Sequence, residues 1–139
     1  QGRQDTYPKR RGLTRVKELN DNHINVCFAQ DSMSDPWYPL GNGNMMNILD
    51  HGIHICQMMS FDEIDNALDL ITINGAKTMN LDDVYGIEVG KDANFIVINA
   101  KSEFEAVCER AGVLASIRNG KYLFNKIPEK VNTDIELLS

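Results

Sequence analysis

Apolar positions fall along the chain in blocks whose spacing switches between helical and strand-like. Val16 and Leu19 stand three apart behind Thr14, a residue suited to an N-cap, so a short helix is expected over residues 14–22. Ile24-Asn25-Val26-Cys27-Phe28-Ala29 is a short, mostly apolar run, as in a strand buried on both faces of a parallel sheet. Helix, tight turn and buried strand in that order make half of a βαβ unit. Residues 30–44 are polar and aromatic, stiffened by Pro36 and Pro39, and read as a long loop. In parallel α/β folds, function gathers in the loops that follow the C-terminal ends of strands. A helix is expected over about residues 44–59, apolar nearly all round and so packed on more than one side. Ser60-x-x-Glu63 is a capping box, from which Phe61, Ile64, Leu68 and Ile71 carry a second helix to about residue 73. Residues 76–79 continue it as a short turn after Asn74-Gly75.

The pattern changes near Asn80. Asn94-Phe95-Ile96-Val97-Ile98-Asn99 reads as another buried strand, and Ser102-x-x-Glu105 as a second capping box, for a short helix ending at Gly112. Asn119-Gly120 between residues 113–118 and 121–124 is a strong hairpin signal. The tail after Pro128 is polar and expected to be loosely held. The second half is thus a small, mainly β unit beside a helical first half.

Composition narrows the function. The 139 residues are 42% apolar, ordinary for a globular protein, and their 14 basic and 20 acidic side chains leave a net charge of −6. An acidic chain is a poor match for phosphate backbones, so nucleic acid is not expected as a partner. No apolar run approaches the roughly 20 residues that span a bilayer, and no signal-peptide core is present. Cys27, Cys56 and Cys108 are odd in number and far apart, which suits free thiols in a reducing, cytoplasmic setting.

Candidate chemistry is sparse. Asp31, at the end of the expected strand, is placed to bind a metal or carry a proton, and equally to cap a loop N–H. Trp37, the single tryptophan, either lines a pocket or packs as a satellite. Asp35-Pro36 is ordinary turn chemistry. His51 and His54 lie three apart on one helix but lack a third ligand at recognisable spacing. His23 sits at a helix end, where the dipole accounts for it. Lys9-Arg10-Arg11 reads as a solvated loop edge rather than an anion clamp. Gly41-x-Gly43 lacks the strand–loop–helix context of a dinucleotide site.

As a string, Asp5-Thr6-Tyr7-Pro8-Lys9-Arg10-Arg11-Gly12, Ile24-Asn25-Val26-Cys27-Phe28, Gln30-Asp31 and Asp35-Pro36-Trp37-Tyr38-Pro39-Leu40-Gly41 closely resembles the bacterial cytosine deaminases of the amidohydrolase superfamily. The likeness continues through Leu70-Ile71-Thr72 and Ala76-Lys77-Thr78-Met79-Asn80-Leu81 and reaches about residue 125. The resemblance implies an α/β fold: the end of a metal-dependent (β/α)8 barrel over residues 1–80, with its last strand and flanking helices. A small β-sandwich-like domain follows over residues 81–139. It implies hydrolytic deamination of an aminopyrimidine or related cyclic amidine, with release of ammonia, at one divalent iron or zinc ion. Asp31 then corresponds to the aspartate that ligates the metal and shuttles the proton, and Trp37 to the aromatic lining the substrate pocket. Gln30 stands where well-known members have histidine. Ser32 stands where they have a second aspartate facing the pocket, which removes a charge, adds room and shifts substrate preference.

A barrel alone takes about 250 residues, and the family's histidines, ring-protonating glutamate and substrate-binding glutamine are expected upstream of Gln1. The chain therefore reads as a C-terminal piece, inactive alone and unable by itself to hold the metal. The exposed edge of residues 24–29 makes a homo-oligomer the expected state. The alternative is a stand-alone, non-catalytic interaction module of the same fold.

Overall fold

The computed structural model describes residues 6–7 and 12–129. Lys9-Arg10-Arg11 and the tail from residue 130 on lie outside them. α1 (Val16–Asp21) forms where a helix is expected, but Thr14 does not cap it. The N-cap is Arg15, and Thr14 contributes only its carbonyl, which accepts the Val16 N–H at 2.8 Å. His23 ends this helix from the left-handed region, at φ 58°. α2 (Met45–Ile55) opens on Asn44, whose side chain accepts the Met46 N–H at 3.0 Å. It stops short of the expected end as Gln57 turns left-handed at φ 58°. Its apolar residues are not buried all round: Met46, Leu49 and Ile53 face the core, while Ile55 is exposed.

The capping box at Ser60 is complete. Ser60 Oγ accepts the Glu63 N–H, and the Glu63 carboxylate accepts the Ser60 N–H at 3.0 Å. Lys17 also bonds Glu63, and this, with the Ser60 hydroxyl and N–H, holds the Glu63 carboxyl down at about 2. The single helix expected from here is instead three pieces: α3 (Phe61–Asp65), a 3₁₀ helix (Ala67–Ile71) and α4 (Ile73–Thr78). In a 3₁₀ helix residues three apart eclipse, so Ala67 and Leu70 enter the core together. α4 runs straight through Asn74-Gly75 rather than starting after it.

Residues 24–30 depart most from expectation. They form no sheet ladder with any described residue. The segment is tied to the helices: Phe28 N–H reaches the Leu70 carbonyl at 2.7 Å, and the Asn74 amide donates to the Val26 carbonyl at 2.9 Å. Asn25 donates in turn to the Asn74 carbonyl and the Thr78 hydroxyl, each at 3.0 Å. Ile24 is exposed, and Val26, Cys27 and Phe28 are half-buried. A place inside a parallel sheet needs strands on either side, and the described residues supply none.

The second half holds one antiparallel sheet of β1 (Phe95–Ile98), β2 (Val113–Arg118) and β3 (Lys121–Asn125), in that order. Asn119 and Gly120 both have positive φ, 50° and 72°, the backbone a two-residue hairpin turn requires. β1 is not buried: with β2 on one side only, its Phe95, Ile96 and Val97 are exposed. α5 (Glu103–Cys108) stops before Gly112, with Arg110 left-handed at φ 46°. Its capping box is half formed, since the Glu105 carboxylate reaches the Lys101 N–H instead of Ser102. Ala106, Val107 and Ala111 join Val16, Leu49, Ile53, Ile64 and Leu70 in one apolar cluster. Arg110 adds a fork onto Asp50 of α2, Nε at 3.0 Å and Nη2 at 2.9 Å from one oxygen. Between α4 and β1, the Lys91 ammonium donates to the carbonyls of Asp82 (3.0 Å) and Tyr85 (2.6 Å) and to Glu88 Oε1 (3.2 Å).

Candidate functional site

The loop of residues 30–44 leaves the extended segment beside α2, where Phe28 packs on Gly52. A Cβ at Gly52 would lie 2.8 Å from two ring atoms, so the helix backbone approaches the ring only because no side chain intervenes. Asp31 comes next and is exposed, with no hydrogen-bond partner among the described residues. Gln30 folds its amide back onto the Ser32 carbonyl and so points into its own loop.

The centre of the loop is Asp35. Its Oδ1 accepts the Tyr38 N–H at 2.8 Å and the Trp37 N–H at 2.9 Å. The Tyr38 N–H, with the Ser32 and Trp37 donors, holds the Asp35 carboxyl below its ordinary range. Ser34 Oγ donates to the Gly41 carbonyl at 2.9 Å, and the Gly41 N–H to the Tyr38 carbonyl at 3.1 Å. Gly41 is buried where a Cβ would strike the Ser32 carbonyl, with Tyr38 Cδ1 at 3.0 Å and Met33 Cα at 3.2 Å. Asn42 Oδ1 then accepts the Asn44 N–H at 3.0 Å, delivering the chain into α2. The result is a loop closed on itself that carries Ser32 half-buried and Trp37 at 73% exposure.

Asp31, Ser32 and Trp37 thus share one loop, with the Trp37 backbone held by Asp35. The Asp35-Pro36 turn signal stands, because an aspartate before proline offers an acceptor to the N–H groups two and three residues on. The part that Asp35 and Gly41 play in closing the loop has no further signal in the sequence. His51 and His54 are exposed and line a cleft of about 250 Å³ with Asp50 and Arg110, without Asp31. Burial pushes the Cys56 thiol up, the wrong direction for a nucleophile.

A bound metal ion needs at least three protein ligands held together. Among the described residues no three His, Cys, Asp or Glu side chains are so placed. The described residues therefore do not fit a metal centre on their own, and Asp31 is a single carboxylate. No helix among them is long and apolar enough to cross a membrane.

Comparison with known proteins supplies the context for this loop. A solved 5-methylcytosine deaminase from Klebsiella pneumoniae, liganded with 5-fluorocytosine, superposes with a TM-score of 0.90 at 50% identity. The match covers 96% of this chain and 32% of that one. N-isopropylammelide isopropyl amidohydrolase of Pseudomonas sp. (strain ADP) is 32% identical over 108 residues, 78% of this chain and 27% of the relative. Pterin deaminase of Rhizobium rhizogenes (strain K84 / ATCC BAA-868) is 24% identical over 130 residues, 91% of this chain and 29% of the relative. The chain spans about a third or less of the length of each. The Amidohydrolase family matches residues 1–124, a stretch that takes in the Asp31 loop, the helices behind it and the hairpin as far as Phe124. By that match, this α/β chain belongs to the amidohydrolase family.

Proposed function

We propose that this chain is the C-terminal part of a hydrolytic deaminase acting on an aminopyrimidine. One observation carries the reading. An exposed aspartate opens a self-closed loop bearing Ser32 and Trp37, in a chain 50% identical over 96% of its length to a 5-methylcytosine deaminase. In such a reaction water adds to the ring carbon bearing the amine, the carbon–nitrogen bond breaks, and ammonia leaves. Asp31 takes the proton from the attacking water and returns it to the departing nitrogen. Trp37 offers a flat apolar face to the ring. Ser32 places a small neutral side chain where a second carboxylate would add charge and bulk, which favours a ring carrying a small substituent such as 5-methyl.

The resemblance implies one divalent iron or zinc ion. Asp31 would be one of its ligands, and the others come from outside the described residues. The unladdered backbone of residues 24–30 supports a place at the end of a barrel, because a segment with no strand partner among the described residues suits strands alongside it. We expect the 139-residue chain alone to release no ammonia from cytosine or 5-methylcytosine. A longer polypeptide ending in this chain should release it, and lose that activity on Asp31→Asn. Robust turnover by the isolated chain overturns the fragment reading. A longer polypeptide inert toward every aminopyrimidine tested overturns the deaminase reading.

A further inference from the structure

We propose that Asp35 is the positioning residue of the substrate loop, holding Trp37 in place. Its Oδ1 accepts both the Trp37 and the Tyr38 N–H groups, at 2.9 and 2.8 Å. A carboxylate suits this place, since each oxygen has two lone pairs and neither must donate. Buried Gly41 closes the same turn, its bare Cα under the Ser32 carbonyl, where a Cβ would not fit. Asp35 itself is directed at its own loop and acts on a substrate only through these neighbours.

The ordering of Trp37 is tested on the 139-residue chain, where the single tryptophan makes emission report this loop alone. Asp35→Ala should lower the fluorescence anisotropy of Trp37 with the far-ultraviolet circular dichroism unchanged. Asp35→Asn, which keeps an acceptor oxygen for the two N–H groups, should leave the anisotropy near the parent value. If Asp35→Ala does not fold, Asp35→Glu, with the acceptor displaced on a longer arm, should give the same loss. Unchanged anisotropy in the folded Ala or Glu variant overturns the proposal, as does an equal loss in Asp35→Asn.

The consequence for turnover rests on the deaminase reading and is measured on the deaminating polypeptide. Asp35→Ala should raise KM for the aminopyrimidine about tenfold, the scale of one hydrogen bond to a charged group, and Asp35→Asn should restore it. An unchanged KM in Asp35→Ala, or an equal rise in Asp35→Asn, overturns the role in placing Trp37 for the substrate. If no aminopyrimidine is deaminated, the functional reading fails while the anisotropy result still decides the role of Asp35.

Discussion

Between α2 and the 3₁₀ helix, Leu49, Ile53, Ala67 and Leu70 are buried and hold the helices by apolar contact. Across residues 30–44 the single buried residue is Gly41, and order comes from side-chain oxygens that accept backbone N–H groups. The two regions resist change differently. A packed core feels any loss of volume, and passes it to the whole chain. A loop closed by a few directed bonds can open locally while the rest stays folded. Placing candidate substrate residues in the second kind of structure lets them adjust without risk to the first.

Substitutions on either side of that divide should separate global from local effects. The largest is Leu49→Ala, which empties a fully buried position and should cost about 3 kcal/mol. Urea unfolding should show it as a lowered midpoint, with Trp37 anisotropy unchanged in the native baseline. Next is Gly41→Ala, whose Cβ meets the Ser32 carbonyl and Met33 Cα, backbone that cannot swing aside. Overpacking of this sort costs about 2 kcal/mol. It should surface as faster proteolysis within residues 32–41, with a smaller fall in the urea midpoint than Leu49→Ala gives.

Ser60→Ala removes the cap of α3 and should lower stability by about 1 kcal/mol, read again from the urea midpoint. The smallest effect concerns acid. Glu63 is held at about 2 in the folded chain against an ordinary 4.5, so the stability it contributes is complete above about 4.5. That contribution drains away as pH falls through about 2. Glu63→Gln should therefore flatten the acid limb of the stability–pH curve over this window and leave its neutral region the least changed by shape. A curve of unchanged slope there would show that the Lys17 contact adds nothing in solution.

Local signals in the sequence were legible wherever the partners sit a few residues apart. The Ser60–Glu63 box and the Asn119-Gly120 turn are of that kind, and both stand as expected. Features set by distant neighbours were not. The run from Ile24 to Ala29 has the composition of a buried strand, but composition does not say whether strands lie beside it. The periodicity of Phe61, Ile64, Leu68 and Ile71 cannot foretell a switch to 3₁₀ geometry that hands the Leu70 carbonyl to Phe28. At the site, Asp31, Ser32 and Trp37 could be named only because the string around them resembles a family. Asp35, on which the Trp37 and Tyr38 N–H groups converge, carries a turn signal and nothing more.

Lys91 shows what such local bonding means for reactivity. All three protons of its ammonium are committed, to Asp82, Tyr85 and Glu88. An amine attacks an electrophile only after it gives up a proton and frees a lone pair, and here every proton it could give up lies in one of these three bonds. Acylation of this nitrogen thus waits on the opening of at least one of them, and its rate becomes a clock for how often that contact comes apart.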